Sequence, residues 1–325
     1  MIRYIAKRLL LIIPVIFAVI TIVFFINALT PGDPASQMLG PSATHEQLEA
    51  MREDMGLNRP IIVRFGLYLR DLVLHGDMGR SYITKQPVAG EIATRFPTTL
   101  KLACFSMLTA VVLGVPIGII SALRRYSWID IAAMSVALVG VSVPHFWLAL
   151  MMIVAFAVNL GWLPAVGIKT AAGWILPVAA MCLSPLAQIA RTTRSSMLEI
   201  MSMDYIRTAR AKGQKERIVV RKHMLRNAII PILTIIGMMF GMQLGGAVLV
   251  ESIFAIPGLG KYMVDAIMNN NYPCVQGAVL YMSVVFSFVS LAVDILYAAV
   301  DPRIKAQFKS RKAISKRIAA AQAHS

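Results

Sequence analysis

The sequence predicts an all-α, polytopic membrane protein, a bundle of six transmembrane helices, and three observations predict it. Hydrophobic residues make up 58% of the 325 positions and charged residues 15%. Soluble domains carry about 25% charged residues, so this chain has too little polar surface to cover a water-soluble particle of its size. The apolar residues fall in blocks long enough to cross a bilayer, which takes about 20 residues per helix. The basic residues collect on alternate connections between those blocks, the pattern of a membrane topology.

The first block, Leu9–Leu29, follows Arg3, Lys7 and Arg8. It is longer than the apolar region of a signal peptide, about 7–15 residues, and Leu29-Thr30-Pro31 is a poor cleavage site. We read it as an uncleaved first span. Leu102–Leu123 is the second span, closed by Arg124 and Arg125. Ile129–Leu160 is the third, too long for one upright helix and too short for two, with a kink expected at Pro144. Trp174–Ala190, Ala228–Ser252 and Gly277–Val300 are the fourth, fifth and sixth.

Three basic residues precede the first span, two lie between spans two and three, ten between spans four and five, and seven in the C-terminal tail. These are 22 of the 32 Lys and Arg, all on one side, so both termini are expected to be cytoplasmic. The same distribution accounts for the net charge of +16 without nucleic acid, since the charge sits between apolar blocks. Trp162, Trp174, Tyr262 and Tyr272 lie near the opposite boundary, where ring anchoring and ordinary packing are equal readings. Cys104, Cys182 and Cys274 have neither metal-site spacing nor a disulfide framework, and the first two read as buried apolar residues.

Residues 30–98 form a long external segment. Thr44-His45-Glu46-Gln47 has the form of a capping box, followed by Leu48, Met51 and Met55 at helical spacing and by Gly56 as terminator. A second amphipathic stretch after Pro60 places Ile62, Phe65, Leu69, Leu72 and Val73 on one face and closes at Gly76. A docking platform for an external partner and a lid over the helix ends both fit.

The most informative connection joins spans four and five. A short helix is expected from Asp204, a good N-cap, to Gly213, a good terminator. Arg217, Arg221, Lys222, Arg226 and Asn227 then lead back to the membrane at Ala228, which makes a protruding knob. This stretch resembles the coupling loop of ABC importer permeases, whose pattern is Glu-Ala-Ala, three residues, Gly, nine residues, Ile-x-Leu-Pro. Gly213, Ala209 and Leu225 agree with it, whereas Arg207 and Thr208 replace the Glu-Ala pair. Arg207-Thr208-Ala209-Arg210-Ala211-Lys212-Gly213, with His223 to Ala228, is similar to the variant in dipeptide, oligopeptide, nickel and glutathione permeases. The resemblance continues in Thr30-Pro31-Gly32-Asp33-Pro34, Gly56 to Pro60, Gly76 to Gly79 and Arg194-Ser195-Ser196-Met197. Pro257 to Gly260, Tyr272-Pro273, Val293-Asp294 and Asp301 to Ile304 extend it along almost the whole chain.

The resemblance implies a transport subunit for dipeptides or oligopeptides that forms half of a translocation pore in a bacterial-type inner (cytoplasmic) membrane. Nickel complexes or glutathione are the alternative solutes. It implies a second homologous permease, two cytoplasmic ATPases and an external substrate-binding protein as partners, with ATP and magnesium bound by the ATPases and no cofactor in this chain. Tyr205 is then the anchor in an ATPase cleft, and Asp204, Arg207 and Arg210 are polar contacts. A basic loop lying on anionic lipid is the plainer reading. Residues 1–98 form the first span and external loop. Residues 99–305 form the five-helix core, with its coupling loop near 201–227, and residues 306–325 a basic cytoplasmic tail.

Gly237, Gly241 and Gly245 make a smooth ridge on span five, read as a permease–permease seam, a pore wall or packing within the subunit. Gly114 and Gly118 make a shorter one. Gln243, Glu251, His145 and Asp294 are polar groups at membrane depth, expected to serve the pore or a neighbouring helix. Gly260-Lys261 is followed by Tyr262, not by the Ser or Thr that a phosphate loop needs. No paired carboxylates or nucleophile–base arrangement argues for an enzyme. A secondary transporter is the competing class, and it usually shows an internal repeat that this chain lacks.

Overall fold

A computed structural model of the chain describes residues 2–30 and 32–300. Pro31, Asp301 to Ile304 and the basic tail lie outside the described residues. The helices in chain order are α1 (Ile2–Leu29), α2 (Pro34–Leu39), α3 (His45–Asp54), α4 (Ile61–His75) and α5 (Val88–Leu123). Next come α6 (Trp128–Ser142), α7 (His145–Met152), α8 (Ile175–Met201), α9 (Asp204–Ala211) and α10 (Glu216–Ile218). The last are α11 (Leu225–Ile253), α12 (Leu259–Met268) and α13 (Tyr272–Val300). No strand occurs among the described residues; Arg80 and Pro87 form one isolated bridge.

Among the described residues five helices are long and apolar enough to cross a membrane, and the bent pair α6–α7 makes six if it counts as one span. Several predicted spans are longer than expected. α5 begins at Val88 rather than Leu102 and has 36 residues, about 54 Å at 1.5 Å per residue, well beyond a hydrocarbon core. α8 runs on to Met201, and helical structure leads into α11 from Glu216. Helices therefore extend outside the apolar blocks that the sequence marks, because backbone pairing continues where the side chains turn polar.

The third span needs a larger correction. The expected kink at Pro144 is a break, with the two halves bent by 103°. Proline forces the preceding residue out of the helical region, and Val143 stands at φ −81°, ψ 124°. α7 then relaxes into a π-helical turn over Ile153–Asn159.

α8 is the hub, packed against α5, α6, α7 and α11. Small residues permit the closest approach. A methyl group on Gly118 of α5 would lie 2.5 Å from the Ala190 carbonyl oxygen of α8, and one on Gly114 would lie 2.8 Å from that of Leu186. A methyl group on Gly140 of α6 would lie 3.2 Å from the Leu183 side chain of α8. Outside this core, α1 packs on α13, and Phe24 of α1 meets Phe65 and Tyr68 of α4 at ring separations of 5.1 and 5.9 Å.

The capping box forms. Thr44 Oγ1 accepts from the Gln47 amide at 3.3 Å, and Gln47 Oε1 accepts from the Thr44 amide at 3.0 Å. Asp33 caps α2 and receives Arg52 of α3 through Nε at 3.1 Å and Nη2 at 2.8 Å. The helix expected after Pro60 forms as α4 and ends at Gly76; Phe65 of its expected face turns toward α1 together with Tyr68, while Ile62 and Val73 are exposed. Aromatic contact with α1 sets the rotation of this helix. Burial pushes the Tyr68 hydroxyl up to about 12. Tyr262 and Tyr272 are buried, which favours packing for both; Trp162 is exposed, and Trp174 stands edge-on to Phe105. Cys182 is buried as expected, but Cys104 is exposed.

Candidate functional site

The knob between α8 and α11 exists and is built from local rules. α8 ends at Met201, and α9 begins at Asp204 after two intervening residues. The predicted N-cap is one residue off: Met203 is the N-cap, without a side-chain bond, and Asp204 opens the first turn. An acid there still complements the positive end of the helix. The other end closes as a Schellman turn, with the Gly213 amide donating to the Arg210 carbonyl at 2.9 Å and the Gln214 amide to that of Ala209 at 3.4 Å. Gly213 holds φ +73°, the left-handed conformation this turn requires.

The chain beyond the turn is tied back onto α9. Arg210 makes two bonds to Glu216, from Nη2 to Oε1 at 2.6 Å and from Nε to Oε2 at 3.1 Å. This pair raises the Arg210 pKa further above its ordinary value. His223 Nε2 meets Gln214 Oε1 at 2.9 Å. A π-helical turn, Val219–Met224, then leads into α11.

α9 has two faces. Ile206 and Ala209, three residues apart, are buried in a cluster with Ala122 of α5, Met197 of α8, Val219 and Met224 of the π turn, and Ala228 and Ile232 of α11. Asp204, Tyr205 and Arg207 point outward; Tyr205, a large aromatic, keeps 44% of its surface exposed. Arg207 and Asp204 are 3.9 Å apart and mostly exposed, a pair that solvent screens. Of the expected contact residues, therefore, Asp204, Tyr205 and Arg207 are available on the surface, Arg210 is engaged with Glu216, and Ala209 belongs to the seat. Ile206 was missed as the centre of that seat. Its three-residue spacing from Ala209 is the signal that pointed to it.

The other sequence candidates, Gly245 excepted, find partners within the subunit. A methyl group on Gly237 would collide with Val293 of α13, and one on Gly241 would lie 3.0 Å from Phe286, so these two serve helix packing. Gly245 faces open space. Gln243 Nε2 donates to the Met181 carbonyl at 3.1 Å, and His145 Nδ1 lies 3.4 Å from that of Ala180. Asp294 pairs with Arg8 at 2.9 Å. Glu251 is fully buried beside Gly258 and Gly260, and its Oε2 accepts from the Lys261 amide at 3.0 Å. It caps the first turn of α12, while Thr99 of α5 accepts from the Leu259 amide at 2.8 Å. The Pro257 to Gly260 motif is thus a glycine-lined cradle for a carboxylate.

Comparison with known proteins places this architecture. Residues 114–306 match the family described as binding-protein-dependent transport system inner membrane component. Residues 1–103 match its companion N-terminal region. The chain is 43% identical to the dipeptide transport system permease protein DppB of Alkalihalophilus pseudofirmus, over 94% of this chain and 100% of that protein. It is 44% identical to the glutathione transport system permease protein GsiC of Escherichia coli K12, over 94% of this chain and 99% of that protein. A chain from an inward-facing structure of the MetNI methionine ABC transporter superposes with a TM-score of 0.52 at 20% identity, covering 65% of this chain and 96% of its own length. That likeness supports the shared fold. With the family match spanning most of the transmembrane core, the chain belongs to the binding-protein-dependent transport system inner membrane components, the permease subunits of ABC importers.

Proposed function

We propose that this chain is a permease subunit for dipeptides or oligopeptides, and that α9 is its contact with a cytoplasmic ATPase. The observation that carries the reading is the two-faced α9. Its inner face is rooted in α5, α8 and α11, and its outer face presents Tyr205 with two charged neighbours. A protruding aromatic flanked by charge suits a cleft in a partner protein better than a lipid surface, which would favour a continuous basic face. Force applied at α9 reaches three long helices through side chains already in contact. The chain forms half of a pore whose other half is a homologous permease, with Gly245 facing the open side of α11. Both termini and α9 lie on the cytoplasmic side, as the distribution of basic residues supports. An external binding protein delivers the solute, and the ATPases hold ATP and magnesium.

The solute class rests on the relatives, which are named for dipeptide, peptide and glutathione transport. Glutathione is itself a small peptide, so both chemistries belong in one test. The affinity-tagged chain is purified from detergent-solubilised membranes and its companions are identified by mass spectrometry. The complex is then reconstituted and supplied with dipeptides, longer peptides or glutathione. We expect a second permease and two ATPase chains, both ATPases being lost from the Tyr205→Ala, Arg207→Ala variant. Recovery of the chain alone, with uptake that needs no ATP, would refute the reading and favour a secondary transporter.

A further inference from the structure

One ion pair with a buried carboxylate lies a single helical turn from the seat of α9, and the site described above does not use it. Asp130, near the start of α6, is 3% exposed. Arg194 of α8 donates to it twice, from Nε to Oδ1 at 2.6 Å and from Nη2 to Oδ2 at 2.7 Å. Ser121 of α5 donates its hydroxyl to Oδ1, and the Tyr126 amide donates to Oδ2 at 2.9 Å. One carboxylate thus accepts four bonds from α5, α8 and the connecting turn. Tyr126 stands at φ +62°, a conformation that a bulky L-residue adopts only where its surroundings hold it. Its bond to Asp130 is part of that hold.

The position of the pair matters more than its strength. Ser121 is followed by Ala122, and Met197 lies three residues beyond Arg194; both Ala122 and Met197 line the pocket that holds Ile206 and Ala209. α6 packs on α5 and α8, closely enough that Gly140 meets Leu183. At its other end comes the 103° break and α7, which packs on α8 and α11. A displacement passes between helices through packed side chains and through hydrogen-bonded pairs. Apolar contacts are not directional, whereas a two-bond guanidinium–carboxylate pair fixes both distance and angle.

We propose that the Asp130–Arg194 pair is the clasp that carries a displacement of α9 into α6, which makes both residues positioning residues for transport. The proposal rests on the assignment of α9 as the ATPase contact. Without the clasp, α9 still sits in its apolar pocket and the ATPases still bind and turn over. α6 then follows through its apolar contacts alone, so the pore half responds incompletely.

The test uses the complete complex in proteoliposomes, with Asp130→Asn and Arg194→Lys. The lysine keeps the charge but cannot make two parallel bonds. ATP hydrolysis and solute import are measured together for each assembled complex. We expect assembly and hydrolysis to persist while solute imported per ATP falls at least tenfold. If yield or melting temperature drops but import per ATP stays within twofold of the parent, the pair is only a brace and the proposal is overturned. Should Asp130→Asn fail to assemble, Arg194→Lys decides by the same ratio. The two readings fail separately: ATPases retained after Tyr205→Ala, Arg207→Ala would sink the α9 assignment, whereas an unchanged ratio in the clasp variants sinks the clasp alone.

Discussion

Gly213 offers the sharpest test of the knob, because the cost of replacing it is almost purely a backbone cost. It holds φ +73°, and a methyl group built on it would have nothing within 4 Å, so no side-chain clash enters the comparison. Gly213→Ala keeps the amide that donates to Arg210 but forces an L-residue into the left-handed region, at about 1–2 kcal/mol. With about 1.4 kcal/mol for each factor of ten, that lowers the population of the closed turn roughly 5–30-fold relative to the parent. Gly213→Asn should cost less, since asparagine tolerates that region. Gly213→Pro removes the donor and locks φ near −65°, which the turn cannot accommodate, at about 3 kcal/mol or more. The expected order of coupled transport is Gly above Asn, then Ala, then Pro, with membrane insertion unchanged. The assay compares import with ATP hydrolysis in proteoliposomes and checks insertion by cell fractionation. Normal ATP-driven import by Gly213→Pro, or equal loss in Asn, Ala and Pro, would refute the argument that this turn orients α9.

Further outcomes follow from the packing. Gly118→Ala should destabilise the purified protein by about 1–3 kcal/mol, because the added methyl meets the α8 backbone, which cannot move aside. Gly245→Ala faces open space and should leave the melting temperature of the isolated subunit unchanged or slightly raised; thermal melts of both variants check the contrast. Glu251→Ala removes the acceptor of the part-buried Lys261 amide, at about 1–3 kcal/mol, whereas Glu251→Gln keeps an acceptor and should cost less; hydrogen exchange across Leu259–Met268 reads the difference. The Asp33–Arg52 clamp gives a pH effect. Burial raises the Asp33 carboxyl, but the Arg52 guanidinium and the Ala35 amide outweigh it and leave it below its ordinary value of 3.8. A lowered folded pKa means that this stabilisation is complete above the unfolded value, about 3.9, and is lost as pH falls through the folded one. Amide exchange across α2 and α3, corrected for intrinsic rates, should therefore accelerate only below about pH 4, and Arg52→Ala should remove that dependence.

Much of the architecture is legible in the residues because lipid is a demanding solvent. Long apolar blocks have few alternatives to spanning helices, and the caps and terminators at Thr44, Gly56, Gly76 and Gly213 act through neighbours only a few residues away. The knob between spans four and five is local in the same sense, and its turn forms as the glycine and the helical spacing imply. Helix ends are less legible. α5 starts 14 residues before its predicted beginning, since hydropathy marks the membrane and not the end of hydrogen bonding.

The decisions that required tertiary structure concern direction and partnership. Gly237, Gly241 and Gly245 look equivalent along the chain, yet two of them meet α13 and the third meets nothing. Ala209 and Tyr205 belong to one motif, yet one is buried in the seat and the other is exposed. Asp130 and Arg194 are 64 residues apart, and Thr99 and Leu259 are 160 apart. Periodicity reports which residues share a face of a helix, a short-range property fixed by 3.6 residues per turn. Which neighbour that face meets depends on how the helices are arranged in three dimensions, and only the folded bundle sets it.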